Sequence, residues 1–251
     1  MKVFAKSDIG KAREMNQDAY YASQPSENVG LYILADGMGG YNGGEIASRL
    51  AVTATKNYIE TNFSKIEHNK EALKDLVKNA IEYANMVVYE KSKERPELEG
   101  MGTTIEVALA YNNRVYIGHI GDSRIYRIRK GFMRRLTVDD SYVQKLVKDG
   151  TITKEQAVHH PKKNMLTKAL GCISFVEPEV SVKGFLKDDI LVITSDGLTN
   201  MVSEEEIYKV VKEDIYLATE TLINKANKAG GVDNITVIIV YQDQENTKAK
   251  N

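Results

Sequence analysis

Residues 103–136 read TTIEVALAYNNRVYIGHIGDSRIYRIRKGFMRRL. Apolar, β-favouring residues flank Asn112-Asn113 and again flank Lys130-Gly131, and such pairs are signals for two-residue turns that close hairpins. Strands joined by two-residue turns run antiparallel, because parallel neighbours need a crossover of a dozen residues or more. A purely parallel, doubly wound sheet is therefore excluded.

Outward from this block, residues 1–36 read as strands and turns. After Gly43-Gly44 the spacing becomes helical, with Ile46, Leu50, Ala54, Tyr58 and Ile59 on one face. A second helical stripe is formed by Leu73, Leu76, Val77, Ala80, Ile81, Ala84, Val87 and Val88. Residues 139–171 are mixed and polar, with a short helix expected over 140–148 and a surface loop at His159-His160-Pro161. A segment of this kind between strands reads as a flap that touches substrate. Strands resume at 179–185 and 189–194. Helices follow at 203–211, with Ser203 and Glu206 as a capping box, and at 216–229, before a last strand at 235–241. Antiparallel strands with helices in separate blocks define an α+β fold.

With 251 residues and no Pro/Ser-rich linker, one domain over 1–241 is expected, followed by a polar, disordered tail at 242–251. The 34 Lys+Arg and 35 Asp+Glu nearly cancel, which gives no support to a polyanion-binding or acidic disordered protein. The basic run at 127–135 alternates across a hairpin and reads as a solvated face. Cys172 is the only cysteine, so no intramolecular disulfide can form. No secretory leader or apolar stretch of about 18 residues occurs, so the expectation is a soluble cytoplasmic monomer without membrane or nucleic-acid partners.

Four aspartates punctuate the apolar runs: Asp36-Gly37 after 31–35, Gly121-Asp122 after 115–120, Asp196-Gly197 after 190–195, and Asp233-Asn234 before 235–240. One Asp-Gly after a strand is a common turn. Several carboxylates gathered at strand ends beside glycines suggest a shared divalent cation site. The glycines at 37, 39 and 43 approach a dinucleotide-binding turn, but Asp36 would repel the pyrophosphate and the spacing does not match. His68, His119, His159 and His160 lack the spacing of a zinc site, and His119 reads as a core or sheet-face residue.

In chain order the sequence carries Arg13-Glu14-Met15-Asn16-Gln17-Asp18, Asp36-Gly37-Met38-Gly39-Gly40, Gly102-Thr103-Thr104, Gly121-Asp122-Ser123-Arg124, Leu166-Thr167-Lys168-Ala169-Leu170-Gly171, Ser195-Asp196-Gly197 and Asp233-Asn234-Ile235-Thr236. This ordered set resembles the metal-dependent type 2C (PPM) protein serine/threonine phosphatases, in particular their bacterial branch. The resemblance implies a β-sandwich of two antiparallel sheets flanked by helices, an α-β-β-α arrangement with a cleft for two Mn²⁺ or Mg²⁺ ions at one end. By that resemblance Asp36 bridges both ions, the Gly37 carbonyl completes one site, and Asp196 and Asp233 complete the other. Asp18 reaches the metals through water, Asp122 with Asp196 holds a third ion, and Arg13 grips the substrate phosphate. The implied reaction is in-line attack on phosphoserine or phosphothreonine by a water activated between the ions. The implied partners are phosphoproteins and a cognate serine/threonine kinase.

The residue types suit that chemistry. Hard divalent cations prefer oxygen ligands, and the planar guanidinium fork matches phosphate oxygens. Two departures stand out. Met38 occupies the position where many eukaryotic relatives carry a histidine proposed as general acid, and Asp139-Asp140-Ser141 stands where bacterial relatives tend to show Asp-His-Ser. No general acid is assigned. These departures keep a competing reading alive, a catalytically inactive regulatory or binding module. A two-metal nuclease is disfavoured by the near-neutral charge.

Overall fold

The computed structural model describes residues 1–24, 29–39 and 43–243. In chain order the strands are β1 (Lys2–Asp8), β2 (Asp18–Ala22), β3 (Val29–Met38), β4 (Gly102–Thr103), β5 (Ile105–Tyr111), β6 (Arg114–Ile120), β7 (Arg124–Arg129), β8 (Phe132–Arg135), β9 (Glu179–Gly184), β10 (Ile190–Thr194) and β11 (Ile235–Tyr241). The helices are α1 (Gly43–Phe63), α2 (Lys70–Glu94), α3 (Tyr142–Lys148), α4 (Lys154–Val158), α5 (Asp196–Thr199), α6 (Glu204–Glu213) and α7 (Ala218–Lys228). A 3-10 turn covers Pro96–Leu98.

The two expected hairpins form. Asn112 and Asn113 adopt φ of 44° and 62°, and Lys130 and Gly131 adopt 48° and 84°, the left-handed values that a tight hairpin turn demands. One sheet has the order β1-β11-β10-β7-β8 and the other β2-β3-β5-β6-β9, with β4 added beside β3. Every pairing is antiparallel.

Strand alternation then sorts the side chains into three apolar layers. Tyr32, Leu34, Ala108, Ile117, Leu191, Ile193, Ile238 and Val240 pack between the sheets. Ile33, Val107, Leu109 and Ile120 point to the opposite side, under α1 and α2. Val192, Ile235, Val237 and Ile239 face α6 and α7. The central strands are covered on both faces, which is why 31–35 and 190–194 read as continuous apolar runs rather than alternating ones. The result is the expected α-β-β-α sandwich.

Several local expectations shift. In α1 the fully buried positions are Ala47, Ser48, Ala51 and Thr55, and Ile59 is buried as expected, whereas Ile46, Leu50 and Tyr58 sit at the margins. Small residues let this helix lie close to β3, and its larger side chains then fill the flanks. Ser203 caps α6 by accepting from the Glu206 amide, but the Glu206 side chain pairs with Lys225 at 2.6 Å instead of closing a capping box. The basic run is solvated only in part: Lys130 and Arg134 are exposed, whereas Arg127 donates to the Gly184 carbonyl, Arg129 pairs with Asp189, and Arg135 pairs with Asp139. Of the tail, Gln242 is buried and Asp243 pairs with the Met1 amino group, while 244–251 lie outside the described residues. Among the described residues no helix is long and apolar enough to cross a membrane.

Candidate metal centre

The aspartates of both sheets meet at one end of the sandwich. Asp18 on β2 lies directly opposite Asp36 on β3. Asp122 sits on the turn between β6 and β7, Asp196 opens α5 at the end of β10, and Asp233 lies two residues before β11. Asp36, Gly37, Asp122, Asp196 and Asp233 line a cleft of about 730 Å³ together with Arg13 and Met38. The structure thus brings together Arg13, Asp36, Gly37, Asp122, Asp196 and Asp233, with Asp18 opposite Asp36 on the neighbouring strand but outside the cleft lining.

Small polar residues fix these positions. The Asp36 amide donates to Thr104 Oγ1 at 2.9 Å, and the Asp36 carbonyl accepts from the Thr104 amide and from Thr103 Oγ1, each at 2.9 Å. Gly37 has no room for a side chain, since a Cβ there would lie 2.1 Å from the Gly44 carbonyl oxygen. Gly197 is held as tightly, with the Asn234 carbonyl oxygen 2.0 Å from where its Cβ would stand. Asp18 Oδ2 accepts from Ser195 Oγ at 2.8 Å and Thr236 Oγ1 at 2.7 Å, so the second sheet grips the carboxylate of the first.

Asn234 braces the loop that carries Arg13. Its Oδ1 accepts from the Gln17 amide at 2.8 Å, and its Nδ2 donates to the carbonyls of Ile9 at 2.9 Å and Met15 at 3.0 Å. Reasoning from charge alone misses Ser195, Thr236, Thr104 and Asn234. For Ser195, Asn234 and Thr236 the signal was present, because each lies within one to three positions of an aspartate in a strand-end motif, whereas Thr104 belongs to the separate Gly102-Thr103-Thr104 motif, far in sequence from any aspartate.

Negative charge accumulates here beyond what Arg13, on Asp233, and the nearby Arg124 offset. Burial pushes the Asp36 carboxyl well above its ordinary pKa, and the charges of Asp18, Asp196, Asp122 and Asp233 push it further. Burial raises Asp18 to about 7 despite its two hydroxyl donors, and raises Asp122 to about 8 with help from Asp196 and Asp139. Asp196 also rises through burial and the Asp233 charge, offset by hydrogen bonds from Asp36 and Asn200. Asp18 Oδ1 is buried with no hydrogen-bond partner. Among the described residues no three His, Cys, Asp or Glu side chains are drawn up as a closed cation cage. Two of the carboxylates are already engaged: Arg13 Nη2 donates to Asp233 Oδ2 at 2.7 Å, and Asn200 Nδ2 donates to Asp196 Oδ2 at 2.9 Å. An all-oxygen donor set, mutual repulsion and an orphaned buried acceptor fit hard divalent cations, which would relieve the repulsion that otherwise demands protons.

The flap rises beside this cleft. Neither α3 nor α4 has a buried residue, so the flap stands off the sandwich and is held at its root. There the Asp140 amide donates to the Gly121 carbonyl at 2.7 Å, and Leu170 exchanges two backbone bonds with Thr103. A second cavity of about 690 Å³ between the flap, α5 and the start of α6 shares Asp122, Asn164 and Asp196 with the first. His159 and His160 are outside both linings, and no histidine lines the aspartate cleft.

The fold agrees with that of known proteins. Residues 10–225 match the protein phosphatase 2C family model. The chain belongs to the protein phosphatase 2C family. It is 39% identical to the putative protein phosphatase 2C-type of Streptococcus pyogenes, over 99% of this chain and 100% of that protein. Among solved structures, the S. agalactiae serine/threonine phosphatase superposes with a TM-score of 0.87 at 40% identity, covering 96% of this chain and 98% of its own. The catalytic domain of serine/threonine protein phosphatase PstP, solved in complex with two manganese ions, gives 0.82 at 34% identity, covering 95% and 96%.

Proposed function

We propose that this protein is a Mn²⁺- or Mg²⁺-dependent phosphatase that removes phosphate from phosphoserine and phosphothreonine in proteins. The observation that carries the reading is the convergence of Asp36, Asp122, Asp196 and Asp233 on one cleft with Arg13 at its rim. Asp36, the Gly37 carbonyl, Asp196 and Asp233 would hold two ions, Asp18 would act through water, and Asp122 with Asp196 would hold a third. When bound, the ions offset the charge of the phosphomonoester dianion and lower the pKa of a coordinated water.

The chain's own groups do the remaining work. Arg13 is half exposed on its present partner Asp233, so it can turn its fork toward a phosphate entering the cleft. Ser195 and Thr236 hold Asp18 in orientation through two hydroxyl donors. Met38 cannot give a proton to the leaving serine or threonine oxygen, and no histidine in the cleft takes its place. Phosphoproteins, and the kinase that phosphorylates them, are the partners this activity implies, and a cytoplasmic setting fits both.

The test is a metal-dependence profile with a phosphothreonine peptide, run for wild type and Asp122→Ala. Turnover that needs Mn²⁺ or Mg²⁺, and that in Asp122→Ala needs more metal or falls, supports the assignment. Metal-independent turnover would overturn it, and metal binding without any turnover would favour the inactive module.

A further inference from the structure

One buried charged pair has no part in the site just described. Glu106 on β5 is fully buried and His119 on β6 is 2% exposed, and the two face each other across the hairpin. Strand alternation puts both on the inter-sheet face, at the end of the apolar row that this hairpin contributes to it through Ala108, Ala110, Val115 and Ile117. His119 Nδ1 lies 2.5 Å from Glu106 Oε1, and His119 Nε2 lies 2.7 Å from the carbonyl oxygen of Val138. Burying a carboxylate and an imidazole costs several kcal/mol before pairing, and an apolar pair of similar volume would fill the space more cheaply. What the pair adds is a donor aimed out of the sheet.

The proton count is fixed by the acceptors. A carbonyl oxygen only accepts, so Nε2 must carry hydrogen. A contact of 2.5 Å between Nδ1 and a carboxyl oxygen needs one more proton between them. The pair therefore holds two protons and no net charge, whichever partner owns the second. The raised pKa values of both groups, about 9 for His119 and about 7 for Glu106, agree with proton retention in this slot.

The acceptor lies at the root of the flap. Two residues beyond Val138, Asp140 and Gly121 exchange bonds: the Asp140 amide donates to the Gly121 carbonyl at 2.7 Å, and the Gly121 amide donates to Asp140 Oδ2 at 3.2 Å. Gly121 is the turn residue immediately before Asp122, with φ of 114°. A continuous chain thus runs from Glu106 through His119 and Val138 to Asp140 and the Gly121-Asp122 turn. We infer that Glu106 and His119 are positioning residues, a buried proton-holding pair that pins the flap root to the Asp122 turn. Glu106 orients the ring, His119 holds residues 138–140, and these hold the turn that presents Asp122 to the cleft.

The test uses His119→Phe, which keeps a planar ring and removes both bonds, and Glu106→Gln, whose amide can donate to Nδ1 and keep hydrogen on Nε2. The double variant Glu106→Met/His119→Phe leaves no orphaned carboxylate and serves if the single His119 variant does not fold. Hydrogen exchange is measured on metal-free protein, and steady-state kinetics with a small aryl phosphate and Mn²⁺. Losing the link should speed exchange at Gly121 and Asp140 by about tenfold or more relative to β11 amides, with the corresponding loss in kcat and KM within about twofold. Glu106→Gln should stay within about threefold of wild type in both measurements. Exchange at Gly121 and Asp140 that merely follows β11, or a Glu106→Gln variant as impaired as His119→Phe, would overturn the inference. The kinetic arm rests on the proposed phosphatase activity and the exchange arm does not, so failure of one reading is distinguishable from failure of the other.

Discussion

Replacing Asn234 with alanine removes three bonds that hold the Arg13 loop to β11 and leaves the Gln17 amide and the Ile9 and Met15 carbonyls unsatisfied. Asn234 is 4% exposed, so water does not readily take over these roles. At about 1 kcal/mol per hydrogen bond the loss is about 3 kcal/mol, and an unsatisfied buried group adds to it. For a domain of this size about 2–4 °C of Tm accompanies each kcal/mol, which gives a fall of about 6–12 °C. The assay is thermal unfolding of metal-free wild type and Asn234→Ala, followed by phosphopeptide kinetics at a temperature where both are folded. A weaker hold on Arg13 should appear as a raised KM. Asn234→Asp keeps the acceptor for Gln17 but turns a carboxylate toward two carbonyls, so it should be no better than alanine. A Tm within about 2 °C of wild type would refute the reasoning, because the loop would then be held well enough by its backbone bonds to Gly37 and Gly231 and by the Arg13–Asp233 and Asn16–Ser7 contacts.

Gly197→Ala forces a methyl group against the Asn234 carbonyl, 2.0 Å from the ideal Cβ, and should displace Asp196; a Mn²⁺ titration with unchanged affinity would count against this. Arg13→Ala frees Asp233 from a charged partner 2.7 Å away, so Mn²⁺ should bind as tightly or more tightly while kcat/KM for a phosphopeptide falls about tenfold or more. Weaker Mn²⁺ binding in that variant would contradict the assigned role. His119 has its folded pKa raised from 6.5 to about 9, so its stabilising contribution is fully present below about pH 6.5 and is lost as pH rises through about 9. Denaturant unfolding between pH 7 and 10 should therefore show a steeper loss for wild type than for Glu106→Met/His119→Phe, in which the buried Glu106 carboxyl is not left behind to titrate, and parallel curves would refute it.

The turns and the doubly covered strands were legible because each depends on a few adjacent residues. Asn112-Asn113 and Lys130-Gly131 announce hairpins through backbone conformation, and the α2 stripe survives almost intact, with only Val87 left partly exposed. The aspartates were legible as a group because charged residues at the ends of apolar runs need a reason to be there. What escaped depends on pairing across the chain. Once Asn112-Asn113 is taken as a two-residue turn, counting back from it places Glu106 opposite His119, yet each residue alone reads as ordinary. The capping role of Glu206 was lost to Lys225, which is distant in sequence and near only after α7 folds back on α6. Nor could local spacing show that Arg13 lies on Asp233, or that Ser195 and Thr236 in one sheet hold Asp18 in the other.

The central claim is that the aspartate cleft binds divalent cations and thereby supports hydrolysis of phosphoserine and phosphothreonine. Calorimetric titration of Mn²⁺ into wild type and Asp36→Asn, with phosphothreonine-peptide turnover measured on the same samples, tests it most directly. Wild type should bind Mn²⁺ and turn over the peptide only when loaded, whereas Asp36→Asn should lose measurable binding and at least about a thousandfold in kcat. Turnover by metal-free wild type, or an Asp36→Asn variant with undiminished turnover, would contradict the account.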